Sequence, residues 1–286
     1  MKVLILGGGQ VARAVAATAP GLHEVVCRTR AELDIVDESA VANNIAKVRP
    51  DWIVNAAAYT AVDLAEDEAA DSTAVNDTAV ASISRAAAQV GSRLLHLSTD
   101  FVFDGKSNRA YLPADRTNPL SVYGTSKLGG ESHVIGSGTG IVLRTSWVYA
   151  SLGKNFVLTM LRLMRERDQI RVVCDQIGVP TWATSVAHAI WGLIAVPAAT
   201  GLYHWTDLGL ASWYDFAVAI QEEALARGLL SRGVPIVPIR SSEYPTRAQR
   251  PAFSVLDSSS TRLLINLPSQ HWRHNLRMML NELQAA

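Results

Sequence analysis

An alternation constrains this chain more than any other feature. Short apolar runs, "KVLIL" (Lys2 to Leu6), "HEVVC", "DWIVNAAA", "RLLHLS" and "IVLRTS", are separated by longer Ala-rich amphipathic runs such as "VARAVAATA", "ESAVANNIAKV" and "TAVNDTAVASISRAAAQVG". Strands that are apolar along their whole length are buried on both faces, and the intervening helices supply the cover. The pattern predicts an α/β fold, a doubly wound parallel sheet with helices on each side. After Tyr149 the alternation loosens. Helical runs, "NFVLTMLRLMRERD" and "SWYDFAVAIQEEALAR", are broken by turns bearing Pro and Gly, and the chain closes on a helix after Pro268.

Composition narrows the partners. The 286 residues are 49% hydrophobic, enough for a full core, and 26 Lys+Arg balance 26 Asp+Glu. A neutral balance argues against nucleic acid or an anionic membrane as the main partner. No stretch approaches the roughly 18 consecutive apolar residues of a membrane span. The two cysteines, Cys27 and Cys174, have neither disulfide-framework nor metal-ligand spacing, which fits a reducing cytoplasm. No His, Asp and Glu cluster has metal-ligand spacing, so no metal site is expected.

The first strand runs into "GGGQVA", Gly7 to Ala12, which opens a helix. Gly7, Gly9 and Ala12 fit the GxGxxG/A pattern of a Rossmann turn. Its glycines let the backbone approach a pyrophosphate at the helix N-terminus, where free N–H groups and the dipole favour anions. The second strand ends "VVCRTRAELD", with Arg28 and Arg30 and no carboxylate before Glu32. Arginines there accommodate the extra phosphate of NADP, so NADPH is expected, with NADH left open. Residues 1–150 are expected to form the dinucleotide-binding domain. Residues 151–286 are expected to form mainly a smaller, helical substrate-binding lobe, with segments around 170–205 returning to the sheet.

In "SVYGTSKLGGE", Tyr123 and Lys127 lie four apart, hence on one face of a helix. A phenol titrates near pH 10, and a neighbouring ammonium favours its ionised form, which is one route to a tyrosine general acid. Thr99 ends a strand at the carboxyl edge of the expected sheet, where ligands of open α/β folds bind. His96 and His204 fall in strand-like runs and read as core histidines.

The strings "VNAAAYTAVDLAE", "LSTDFVFDG", "NPLSVYGTSKLGGE", "LRTSWVY", "GKNF", "DQIGVPT", "GLYH" and "YPTRAQRPAFSVLD" occur in this order. Over roughly Met1 to Leu283 the chain resembles the dTDP-4-dehydrorhamnose reductases, a branch of the extended short-chain dehydrogenase/reductases. The resemblance implies NADPH-dependent reduction of the 4-keto group of dTDP-4-dehydro-L-rhamnose, a step toward surface polysaccharide. It implies that Gly9, Gln10 and Val11 hold the cofactor pyrophosphate, that Asp34 and Ile35 flank the adenine, and that Ala58, Tyr59 and Thr60 line the cofactor. It further implies Tyr123 as the acid, Lys127 on the cofactor ribose and Tyr123, and Thr99, Asp100, Trp147 and Arg250 on the substrate.

Two departures from the family pattern stand out. The turn "GGGQVA" is one residue shorter than the usual GxxGQxG and ends in Ala12. Ala14 occupies the position of a glutamate that holds Mg²⁺ at a dimer interface in some members, which argues against that metal and that dimer; a monomer or weak homodimer is expected. Trp205 and Trp213 add aromatics near the substrate lobe. Two alternatives stay open: reduction of another 4-keto-deoxysugar nucleotide, because fold and YxxxK do not choose the sugar, or a non-catalytic NADP-binding regulatory subunit. A 4,6-dehydratase would carry Asp-Glu after the strand-end threonine, whereas Asp100 is followed here by Phe101.

Overall fold

The structure, a computed structural model, describes residues 1–268 and 270–285. The chain begins β1 (Lys2–Leu6), α1 (Gln10–Ala17), β2 (Glu24–Arg28), α2 (Glu38–Val48), β3 (Trp52–Asn55), α3 (Ala69–Thr73), α4 (Ala79–Val90), β4 (Arg93–Thr99), α5 (Val122–Gly136) and β5 (Ile141–Thr145). It continues with β6 (Val148–Tyr149), α6 (Phe156–Glu166), β7 (Ile170–Val173), β8 (Ile177–Gly178), β9 (Thr181–Trp182), α7 (Ala183–Ile194), β10 (Gly201–His204), β11 (Ala211–Ser212), α8 (Trp213–Ala226), β12 (Ile236–Ile239), α9 (Ser259–Ile265) and α10 (Trp272–Ala285).

Six strands form one sheet in the order β10-β5-β4-β3-β1-β2, and every neighbouring pair is parallel. Because strand side chains alternate between faces, Val3 and Ile5 of β1 pack with Val15 of α1 and Val186 and Ile190 of α7. Leu4 and Leu6 face the other way, onto Val41 and Ile45 of α2 and Val80 and Ile83 of α4. The expected doubly wound parallel sheet is thus what the chain forms. β1 lies between β2 and β3, so the connections after β1 and β3 diverge to opposite faces. The crevice at their carboxyl ends is the topological switch point where such sheets bind ligands.

Beyond β5 the chain builds a second core from α6, α8 and α10, with Val157, Met160, Phe216, Ile220 and Leu276 fully or nearly fully buried. Of the region around 170–205, α7 covers one face of the large sheet and β10 adds its edge strand. β7 and β8 instead pair with β12 and β11. Among the described residues, no helix is long and apolar enough to cross a membrane.

Helix α5 carries Tyr123 and Lys127 and is clamped to the sheet. Ser121 caps it by accepting from the N–H of Gly124 at 3.1 Å. Gly130 lets it lie against Asn76, because a Cβ there would collide with the Asn76 carbonyl oxygen. One turn beyond Lys127, Glu131 meets Arg144 of β5 in a buried bidentate pair, with Arg144 Nε donating to Oε1 at 2.8 Å and Nη2 to Oε2 at 2.6 Å. Ser98 Oγ of β4 donates to the same carboxylate.

Removing one partner of a buried pair leaves the other charge uncompensated, at a cost of about 3–5 kcal/mol. Glu131→Ala should lose stability of that order in a denaturant titration. The Glu131→Leu/Arg144→Met double variant should be less destabilised than either single change; a double variant that is the sum of the singles would show that the pair does not act as a unit.

Candidate active site

Two adjoining cavities open along the carboxyl edge of the sheet. The smaller, about 250 Å³, is lined by Gly7 to Gly9 after β1, by Ala56 to Thr60 after β3, and by Arg30, Leu33, Asp34 and Ile35 after β2. The larger, about 720 Å³, continues past Gln10, Val11 and Arg13 to Thr99, Asp100, Tyr123, Lys127, Trp147, Lys154, Trp213 and Arg250. That size suits an extended small molecule.

The glycine turn has the shape a dinucleotide requires. Gly7 sits at φ +116°, and a Cβ there would come within 2.9 Å of the Ala57 backbone nitrogen. A Cβ at Gly9 would meet nothing within 4 Å, so the backbone at the start of α1 faces open cavity. The N–H groups of that first turn have no intrahelical partner and point outward. The methyl of Ala12 is buried in the core beneath the turn. Gln10 Oε1 accepts from Asn155 Nδ2 at 2.9 Å, tying the turn to the cap of α6. These residues fit a nicotinamide dinucleotide stretched from Arg30 to Lys127.

Arg28 departs from its expected place. It is absent from the lining of both cavities, and its Nη1 donates to its own strand's Cys27 carbonyl at 2.9 Å. Arg30 is highly exposed at the rim, 3.7 Å from Asp34. Tyr59 donates its hydroxyl to Glu68 at 2.7 Å, which pushes the phenol up to about 12.

At the inner end, Thr99 Oγ1 donates to Asp100 Oδ1 at 3.1 Å and lies within hydrogen-bonding reach of the Tyr123 hydroxyl. The half-buried Tyr123 ring packs edge-on to Phe101, with centroids 5.6 Å apart. Tyr123 does not show the lowered pKa that a neighbouring ammonium would give. Burial pushes its phenol up to about 12, with the Thr99 hydrogen bond opposing and the Asp100 charge adding. The Lys127 ammonium group has turned inward: Nζ donates to the Leu97 carbonyl at 2.7 Å and lies 3.2 Å from His96 Nε2. Burial pulls Lys127 down to about 8, against the influence of Glu131. His96 is fully buried, as a core histidine should be, but its contact with Lys127 joins it to the site. Strand spacing alone carried no sign of that contact.

On the far wall of the larger cavity, Trp147 adopts a left-handed backbone at φ +46°. Its indole lies flat on Trp213, with centroids 3.5 Å apart and planes 4° from parallel. Sequence reasoning singled out Trp213 only as an extra aromatic, whereas Trp205 is core, donating to Ser185 Oγ. Lys154, in the "GKNF" string, also lines the cleft and was not anticipated. Arg250 reaches the cleft already paired, its Nη1 and Nη2 donating to the two Asp63 carboxylate oxygens at 3.1 and 2.6 Å. The guanidinium holds Asp63 below the usual carboxylate range. Ala14 is half-buried and packs against the core cluster of α1 and α7. Among the described residues, no group of three or more His, Cys, Asp or Glu is placed to hold a metal ion.

A parallel sheet that delivers a glycine turn and a Tyr–Lys helix to the same switch-point crevice places the protein among dinucleotide-binding α/β folds. The chain belongs to the dTDP-4-dehydrorhamnose reductase family, its residues 1–285 matching the family model described as RmlD substrate binding domain. It is 40% identical to a dTDP-4-dehydrorhamnose reductase of Burkholderia thailandensis, over 99% of both chains. It is 38% identical to the Escherichia coli K12 enzyme, over 99% of this chain and 98% of that one. A Bacillus anthracis dTDP-4-dehydrorhamnose reductase crystallised in complex with NADP superposes with a TM-score of 0.93 at 32% identity, covering 98% of this chain and 99% of that one. A Thermus thermophilus UDP-glucose 4-epimerase shares the fold at 18% identity, with a TM-score of 0.82 over the full length of both chains.

Burial pushes Asp100 up to about 6, with side-chain hydrogen bonds from Ser254 and Thr99 opposing. A carboxyl whose folded pKa lies above its unfolded value binds more protons when folded. Stability is therefore fully present below about pH 4 and declines as pH rises through 6. Asp100→Asn should stabilise the protein at pH 7 by roughly 1–3 kcal/mol and reduce the fall in stability across that window. Denaturant midpoints at acidic and neutral pH test this; an unchanged pH dependence would remove Asp100 as its source.

Proposed function

We propose that this protein reduces the 4-keto group of dTDP-4-dehydro-L-rhamnose to give dTDP-L-rhamnose, with NADPH as reductant. The observation that carries the reading is the meeting of Thr99, Tyr123 and Lys127 in the cleft that also receives the glycine turn, in a chain similar along its whole length to enzymes of that name. The bound cofactor supplies the hydride. In this reading Gly7, Gly9, Gln10 and Val11 hold its pyrophosphate, Arg30, Asp34 and Ile35 its adenosine end, and Ala58, Tyr59 and Thr60 its middle. Arg30 at the rim favours NADPH over NADH, and Arg28 is left to brace β2.

The chain's own groups then account for the proton. A phenol near 12 is fully protonated at neutral pH, the state in which a donor must start. The Thr99 and Tyr123 hydroxyls lie within hydrogen-bonding reach of each other, so in this reading both can turn to the ketone oxygen as negative charge develops there. Tyr123 donates its proton to that oxygen, and Lys127, one turn along the helix, orients the site through its fixed amine. Trp147 and Asp100 would border the sugar, and Arg250 the diphosphate. We take residues 1–150 as the cofactor domain and 151–286 as mainly the substrate lobe, in a cytoplasmic protein that works as a monomer or weak homodimer without Mg²⁺.

Tyr123→Phe should bind NADPH as tightly as the parent chain but lose roughly 10²–10⁴-fold in turnover, because only the proton donor is removed. NADPH oxidation with dTDP-4-dehydro-L-rhamnose generated in situ, with and without Mg²⁺, measures this. Undiminished turnover in the variant would end the assignment of Tyr123. NADPH binding without turnover in the parent chain would favour a different keto-sugar or a regulatory role.

A further inference from the structure

A buried chain of hydrogen bonds runs from the end of β3 to Lys127, and its polarity can be deduced link by link. The Ala57 N–H donates to Asn55 Oδ1 at 3.2 Å. That contact fixes the Asn55 amide, because the carbonyl end must face a backbone donor. The NH₂ end, Nδ2, therefore donates to His96 Nδ1, 3.1 Å away. Burial by itself keeps the His96 ring neutral. A neutral imidazole carries one N–H. With Nδ1 accepting from Asn55, that proton sits on Nε2, the atom 3.2 Å from Lys127 Nζ.

An ammonium has three donors and no acceptor, so an ammonium facing this N–H would set donor against donor. A neutral amine offers a lone pair to His96 and still donates to the Leu97 carbonyl at 2.7 Å. Only the amine satisfies every link of a network buried where unmet polar groups are costly.

We propose that His96 is a positioning residue whose tautomer, locked by Asn55, presents an N–H rather than a lone pair to Lys127 and thereby favours the neutral amine. Burial already pulls Lys127 downward, and the His96 N–H would act in the same direction. Other charged or titratable groups lie on α5 and on the elements packed against it. On α5 itself are Tyr123 and Glu131, the latter neutralised by Arg144 of β5. Asp100 follows β4; Glu66 accepts from the Val122 N–H, Asp77 pairs with His133, and His204 of β10 lies beside Arg144. Glu131 favours the ammonium, so it opposes His96 rather than duplicating it. The consequence for catalysis rests on the reductase reading, but the protonation equilibrium does not.

The test reads the lysine directly. The chain has five lysines, so the ¹³Cε resonances of a selectively labelled sample are few, and Lys127→Met identifies the one sought. His96→Gln can turn its amide carbonyl toward Nζ without changing net charge. Asn55→Asp places an acceptor on His96 Nδ1, which moves the proton there and turns the Nε2 lone pair to the lysine.

In both variants the Lys127 titration should move up by about one pH unit or more, a tenfold gain in proton affinity. Asn55→Asp in a His96→Phe background should move it less, since only the added charge remains. Near-ultraviolet circular dichroism verifies the fold, and one folded variant suffices for the reading. A Lys127 titration unmoved in a folded variant, or an Asn55→Asp effect just as large without His96, would overturn the proposal. If the resonance moves as expected while no dTDP-keto-sugar is reduced, the proposed substrate falls and the role of His96 stands. In an active enzyme, the limb of the pH–kcat/KM profile belonging to Lys127 should move in the same direction.

Discussion

The buried Glu131–Arg144 pair is the constraint on which the site depends. It joins α5 to β5 at a point where neither side chain reaches water, and the helix period then dictates what lies above it. One turn back is Lys127, and one turn further is Tyr123. Ser98 Oγ brings β4 onto the same carboxylate, so Thr99, the next residue, is set in register with the helix. A single ion pair thus fixes the relative position of three groups on two elements. Such a pair adds little net stability over an apolar substitute, but half of it is strongly destabilising.

The two lobes meet around the cleft through contacts that also belong to the site. Asn155 caps α6 with its carbonyl and donates through its amide to Gln10 and to the Ala150 carbonyl. Arg250 reaches from the C-terminal lobe to Asp63, beyond β3, and Trp213 at the head of α8 covers Trp147 after β5. The positions of groups from the second lobe are therefore set by the first. Groups on opposite walls of the cleft are thereby held in one geometry.

Much of this was legible in the sequence because it is written in local periods. Apolar runs without alternation announced the buried parallel strands, and "GGGQVA" after the first of them announced the turn. Residues Tyr123 and Lys127 four apart announced a shared face. What stayed hidden depends on contacts between distant segments. The partner of Lys127, His96, is 31 residues away on another element, and a histidine in an apolar strand looks the same whether or not it touches a functional group. Trp205 and Trp213 lie eight residues apart in one aromatic string, yet one is core and the other lines the cleft. Arg28 and Arg30 differ because Arg28 is the last residue of β2 whereas Arg30 lies in the turn beyond it, a boundary that the string alone does not mark. The rise of the Tyr123 pKa was hidden because its first cause is burial, which the string does not show, while the Lys127 side chain is turned inward to the Leu97 carbonyl.

The stacked Trp147–Trp213 pair also gives the protein an optical signature. Two indoles face to face at van der Waals separation couple their electronic transitions, and one ring is held by the β5–β6 turn while the other rides on α8. Light absorbed by the pair therefore reports the separation of the two lobes. A guest that wedges between the rings, or a hinge that parts them, would change the chirality of the near-ultraviolet bands without any label being attached.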